Sequence, residues 1–93
     1  MTNSDREFLK ECAYESAKDD YESLPTLLKD VSTWAKDEGR PWSEHDFIEV
    51  LQELVNSGRM ASYRYAPERQ SYVPADFDVS QINNFWFRSR KPS

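Results

Sequence analysis

The spacing of apolar residues changes at Gly58, and this change restricts the chain to an α+β fold. Before Gly58 apolar residues recur every three or four positions, as on one face of an α-helix. After Gly58, apolar and polar residues alternate with a period of about two over Met60–Tyr65, which is typical of a strand. The 93 residues suffice for one domain with a modest core. We therefore expect a single domain, residues 1–93, with flexible ends at residues 1–4 and 89–93.

Start and stop signals predict the first two helices. Ser4 is expected to cap the first helix, with Glu7 as its capping-box partner. Cys12 lies on the apolar stripe of this helix and is expected to be a small core residue. The second helix is predicted to begin at Ser23-Leu24-Pro25, because proline is tolerated in a first helical turn. Gly39 is expected to end it in the left-handed conformation.

The third helix has the clearest boundaries of the three. Ser43 is its predicted N-cap, and Asp46 completes a capping box. Trp42, which precedes the cap, is expected to pack on Phe47 as a hydrophobic staple. Gly58 is expected to stop the helix.

The remainder of the chain is predicted to form a β-hairpin and an aromatic segment. Met60–Tyr65 and Ser71–Val73 are the two expected strands, and residues 66–70 form the turn between them. Phe85-Trp86-Phe87-Arg88 is expected to be either an additional short strand or a terminal aromatic anchor. Whether its aromatic rings belong to the core or to an interface stays open at this point.

Three helices followed by a hairpin, with a tight link between the second and third helices, resemble the winged helix-turn-helix superfamily. The local pattern that carries the resemblance runs from Phe47 to Met60 and reads FIEVLQELVNSGRM. The resemblance implies a three-helix α+β domain with a C-terminal hairpin wing. It also implies that a DNA-binding member would place its third helix in the major groove. The groove-facing positions would correspond here to His45, Glu49, Gln52, Glu53 and Asn56.

The charge of this third helix argues against that use. Its predicted solvent face carries three acids and no base, and comprises His45, Asp46, Glu49, Gln52, Glu53 and Asn56. Phosphate contacts gain their affinity from cations, so Glu49 and Glu53 would oppose docking on DNA. Residues 1–57 carry six Lys/Arg against fourteen Asp/Glu, whereas residues 58–93 carry six against three. The sequence thus predicts an acidic helical half and a mildly basic β half.

The preferred function is a small non-catalytic adaptor or regulatory module that binds another protein. A basic partner is expected to be attracted by the acidic helix face. A homodimer contact through the aromatic segment is a further expectation. The candidate interaction residues are His45, Asp46, Glu49, Gln52, Glu53 and Trp86.

The alternative function is a transcriptional regulator that contacts DNA mainly through its basic wing. Its candidate residues are Arg59, Arg64, Tyr65 and Arg69. Arginine and tyrosine side chains can contact phosphates and stack on exposed bases. The same residue types are enriched in protein interfaces. A third possibility is that the tyrosines cover the core while the arginines keep an edge strand soluble.

The residue content gives little support for catalysis or for a cofactor. One histidine and one cysteine without paired spacing do not match the common zinc sites. Gly39 and Gly58 both stop helices, so no glycine-rich phosphate loop is expected. We therefore expect no enzyme activity, no cofactor and no metal. No apolar run approaches the about 20 residues that span a bilayer, and no signal-peptide pattern is present, so a cytoplasmic location is expected.

Overall fold

The three predicted helices are present and form an α+β domain together with a four-stranded antiparallel sheet. The structure is a computed structural model that describes residues 2–91. The helices are α1 (Asn3–Ser16), α2 (Leu24–Glu38) and α3 (Glu44–Asn56). One 3₁₀ segment, Val79–Asn84, follows the hairpin and is kinked at Gln81. The α+β prediction is therefore confirmed.

Of the helix-end residues predicted at Ser4, Gly39 and Ser43, the last two occupy the predicted positions. The predicted cap of α1 was wrong by two residues, because Thr2 Oγ1 rather than Ser4 accepts the N–H of the first turn, from Asp5 at 3.0 Å. At α3 the predicted N-cap is confirmed, since Ser43 Oγ accepts the N–H of Asp46 at 3.1 Å. The end of α2 is confirmed as well, because Gly39 adopts a φ of 64°.

Trp42 packs beside the first turn of α3, as the staple pattern predicted. Its ring lies edge-on to that of Phe47, with the two centroids 6.5 Å apart. The chain therefore enters α3 at a fixed angle.

The sheet contains two strands more than the predicted hairpin. Its strands are β1 (Glu22–Ser23), β2 (Met60–Ala66), β3 (Ser71–Pro74) and β4 (Trp86–Ser89), in the order β1-β4-β2-β3. The hairpin of β2 and β3 is confirmed. The prediction had no β1, because two residues are too short to show a period.

The aromatic C-terminal segment lies in the middle of the sheet. β4 pairs with β1 on one side and with β2 on the other. Phe85 and Phe87 are 1% and 0% exposed, so these two rings belong to the core. Ser89, which was assigned to a flexible end, is the last residue of β4, and its hydroxyl donates to the carbonyl of Tyr14 at 2.7 Å. Ser4, at the other end, lies in the first turn of α1. Met1 and residues 92–93 lie outside the described residues.

The three helices cover one face of the sheet. α1 contacts β4, α2 contacts β1, and α3 contacts β2. Side chains of a strand alternate between the two faces of the sheet. Met60, Ser62 and Phe87 are buried on the helix side. The intervening residues of β2 and β4 consequently point to the opposite, open face.

Candidate functional site

Five aromatic side chains form one continuous cluster on the open face of the sheet. We call this cluster the aromatic sheet face; it comprises Tyr21, Tyr63, Tyr65, Tyr72 and Trp86. Tyr21 stacks on Tyr72 with centroids 4.2 Å apart and meets Tyr63 edge-on at 4.9 Å. Tyr72 also contacts Tyr65 at 5.3 Å and Trp86 at 5.1 Å. Tyr72 is therefore the centre of the cluster.

The strand register explains why these rings meet. Tyr65 is directly opposite Tyr72 in the β2–β3 pair, and Tyr63 is directly opposite Trp86 in the β2–β4 pair. Directly opposite residues of an antiparallel pair point to the same face and lie within contact distance. Tyr21 joins from the segment before β1, where its N–H donates to Asp20 Oδ1 at 2.7 Å.

The aromatic sheet face is accessible to a partner. Tyr65 is 46% exposed, and the other four rings are half-buried. The guanidinium of Arg88 lies over the Tyr21 ring at 5.0 Å and adds a positive charge at one border. Tyrosine, tryptophan and arginine are the residue types that dominate binding energy at protein interfaces. The arrangement can therefore bury large, already ordered rings against a partner at a small cost in conformational entropy.

The α3 face that the sequence singled out is only partly free. His45, Glu49 and Gln52 are exposed, whereas Asp46 and Glu53 are half-buried. α3 itself carries no basic residue on this face. The neighbouring α1, however, supplies two cations to it, Arg6 and Lys10.

Glu53 is the residue where these cations converge. Lys10 Nζ lies 2.9 Å from Glu53 Oε1, and Arg6 Nε donates to Glu53 Oε2 at 3.0 Å. Arg6 also lies 3.5 Å from Glu49. Hydrogen bonds from Lys10 and Arg6 lower the pKa of Glu53, and the same contacts raise the pKa of both cations. Much of the acidic charge of this face is therefore compensated within the molecule.

The wing residues of the DNA alternative are not brought together. Arg64 donates to Gln81 Oε1 at 2.8 Å and lies over the Phe85 ring, on the opposite side of β2 from its neighbour Tyr65. Arg59 precedes β2 and lies over the Tyr14 ring of α1, at 5.6 Å.

Arg69 stands in the turn after β2, at the far end of the strand from Arg59. β2 is roughly 23 Å long, so the backbones of Arg59 and Arg69 lie at least about that far apart. The candidate arginines therefore lie at the two ends and on one side of β2, and do not form a single patch.

A second surface feature lies between α1 and α2. The two helices border a groove of about 630 Å³, whose floor includes Phe8, Cys12 and Trp34. We call it the acidic groove, because its walls carry the carboxylates of Glu7, Glu11, Glu15, Asp37 and Glu38. Sequence reasoning missed this groove, since nothing in the order of residues tells which flanks of two helices will face each other.

Cys12 lies at the bottom of this groove and is 5% exposed. Burial, and then the nearby charges of Glu38 and Glu11, raise the pKa of its thiol to about 12. The thiol is therefore protonated at neutral pH and is a poor nucleophile. Within residues 2–91, no three His, Cys, Asp or Glu side chains are grouped so that they could hold a metal ion.

Comparisons of the chain with protein-family models, with curated proteins and with solved structures gave no match. The winged-helix resemblance rests on element order and stays a prediction. In the part of the chain from Thr2 to Lys91, no helix combines the length and apolar character that crossing a membrane requires.

Proposed function

We propose that this protein is a non-catalytic protein-binding module of winged-helix type, and that the aromatic sheet face is its docking surface. The observation that supports the proposal is the continuous aromatic cluster on the sheet face opposite α1, α2 and α3. The order α1, α2, α3, β2, β3 supports the winged-helix part. The insertion of β4 between β1 and β2 is a departure from a simple hairpin wing.

The charges near the cluster favour a protein partner over a nucleic acid. Among residues 2–91, one guanidinium, that of Arg88, lies over a ring of the cluster. Asp20 and Glu22 flank Tyr21 in the chain, and the whole protein carries a net charge of −5. Affinity for a polyanion depends on several cations that release counterions. Aromatic stacking without such cations suits a polypeptide better.

The size of the surface favours a short segment or loop of the partner. The four strands contain 17 residues, each of which covers about 16 Å² of the sheet, so the face measures roughly 270 Å². An interface of standard size buries about 800 Å² on each partner. The cluster therefore provides the energetic centre of an interface, and a short peptide can occupy most of it.

The test uses peptides selected from a displayed random library against the protein. Their affinities are measured for the wild type, for Tyr65→Ser and for Val79→Ser. Val79 is the matched control, since its side chain is apolar and its exposed fraction, 41%, is close to the 46% of Tyr65. It lies in the 3₁₀ segment, outside the aromatic sheet face. We expect Tyr65→Ser to weaken binding by about tenfold or more, as loss of an interface hot spot does, and Val79→Ser to leave it unchanged. Equal affinity of the selected peptides for both variants would contradict the proposal.

A further inference from the structure

We infer that the acidic groove is a second docking surface, which binds a basic amphipathic helix of a partner. The inference does not depend on the aromatic sheet face, because the groove lies among the helices and shares no residue with that cluster. Shape, an apolar floor and the sign of the charge each support it.

The shape of the groove suits a helix. Its α1 wall is formed by Ser4, Glu7, Phe8, Glu11, Cys12 and Glu15, which are spaced three or four residues apart and so lie along one side of α1. This stripe is about 16 Å long at the rise of an α-helix. The last turn of α2, with Trp34, Asp37 and Glu38, forms the facing wall, which is about one helical turn long. Two helices side by side leave a concave surface that a third helix can occupy.

The floor of the groove offers apolar contact. Phe8 and Trp34 are half-buried and line the groove together with the buried Cys12, and the guanidinium of Arg40 covers part of the Phe8 ring. An amphipathic helix binds by placing apolar side chains, spaced three and four apart, into such a groove.

The charge of the walls selects a cationic partner. Five carboxylates face one guanidinium, that of Arg40. Arg40 is held at one end by Asp5 at 3.4 Å and Glu38 at 3.7 Å, and it stacks over the Phe8 ring.

Two of the five carboxylates stay available for a partner. Glu11 and Asp37 are exposed, and neither takes part in the ion pairs formed among residues 2–91. They stand on opposite walls of the groove, one on α1 and the other on α2. A helix with lysines on both borders of its apolar stripe would therefore meet a carboxylate on each side, and attraction of this kind steers association.

The experiment uses a synthetic peptide of about 14 residues, built from Leu, Lys and Ala with leucines three and four apart, and long enough to fill the groove. Its comparison peptide has the same composition in scrambled order, so that it keeps the charge but loses the apolar face. Binding is measured by fluorescence anisotropy of a labelled peptide. We expect the amphipathic peptide to bind about tenfold or more tightly than the scrambled one.

Charge reversal locates the binding site. Glu11→Lys and Asp37→Lys are expected to weaken binding of the amphipathic peptide by about tenfold, because each places a cation beside the lysines of the peptide. Glu68→Lys is the matched control, since it makes the same charge change in the exposed turn between β2 and β3. The affinity of this control is expected to stay within about twofold of the wild type, as is usual for a charge far from the contact.

Two results would overturn the inference. One is equal binding of the scrambled peptide, which would show attraction by net charge alone. The other is equal weakening by Glu68→Lys and Glu11→Lys. Tyr65→Ser is included in the same series and is expected to bind the helical peptide as the wild type does. A failure of the acidic groove is thereby distinguished from a failure of the aromatic sheet face.

Discussion

Glu53 illustrates how one side chain changes its role when helices pack. On α3 alone it is a solvent-facing acid. In the folded chain it accepts hydrogen bonds from Arg6 and Lys10, which lie about one turn apart on α1. Exposed ion pairs contribute little to stability on their own, but a shared carboxylate forms a small network. We therefore assign Glu53 to the packing of α1 against α3.

This role predicts a pH dependence of stability. The folded-state pKa of Glu53 lies below its ordinary value of 4.5, so its contribution is fully present above pH 4.5 and is lost as the pH falls through the lowered pKa. Glu53→Gln is expected to lower the free energy of unfolding at neutral pH and to differ less from the wild type as the pH falls well below 4.5. Urea unfolding at a series of pH values measures this.

Glu68→Gln, in the turn after β2, is the control for that series and is expected to match the wild type throughout. A deficit of Glu53→Gln that stays constant from neutral to strongly acidic pH would show that the ion pairs do not stabilise the fold.

At the scale of the element, β4 is the strand that joins the two parts of the molecule. It pairs with β1 from the helical half and with β2 from the hairpin. Its alternation places Phe87 in the core, where it contacts Phe77 edge-on at 5.4 Å, and Trp86 in the aromatic sheet face. One strand thus serves both the core and the proposed docking surface.

The register of β4 predicts unequal effects of two neighbouring substitutions. Phe87→Ala is expected to lower the free energy of unfolding by about 3–5 kcal/mol, because a fully buried phenylalanine leaves a cavity. Trp86→Ala is expected to cost about 1–2 kcal/mol, since that ring is half-buried and loses mainly aromatic contacts. Urea unfolding followed by circular dichroism compares them. A larger cost for Trp86→Ala would mean that β4 is shifted by one residue, because such a slip exchanges the two faces.

At the scale of the whole molecule, the division of charge does not produce a basic surface. Residues 58–93 have an excess of three positive charges, but Arg59, Arg64 and Arg88 each lie over an aromatic ring in a different part of the molecule. A duplex would meet these cations separately, in the field of a protein with a net charge of −5.

We therefore expect no DNA binding of the winged-helix kind. In a mobility-shift titration with mixed-sequence duplex at about 50 mM salt, no shift is expected up to tens of micromolar protein, because affinity for phosphates requires clustered cations. Micromolar binding that falls steeply with salt and is lost in Arg64→Glu would instead support the wing-led alternative.

The helices and the hairpin were predictable because their signals are local. Ser43 caps α3 by binding an N–H three residues away, and Gly39 ends α2 through its own φ. The alternation in β2 likewise lies within a few residues. Such features depend on short stretches of backbone, so they do not change with the way in which the helices pack. The same holds for the net acidity of the chain, which composition alone sets.

Contacts between distant residues required the tertiary structure. Tyr21 joins the aromatic sheet face from more than forty positions before Tyr63 or Tyr72 in the chain, and Arg6 reaches Glu53 across a separation of 47 residues. Both walls of the acidic groove arise in the same way, from two helices that pack side by side. Which side chains meet over such separations depends on the angles at which whole elements pack, and those angles minimise the free energy of the entire core.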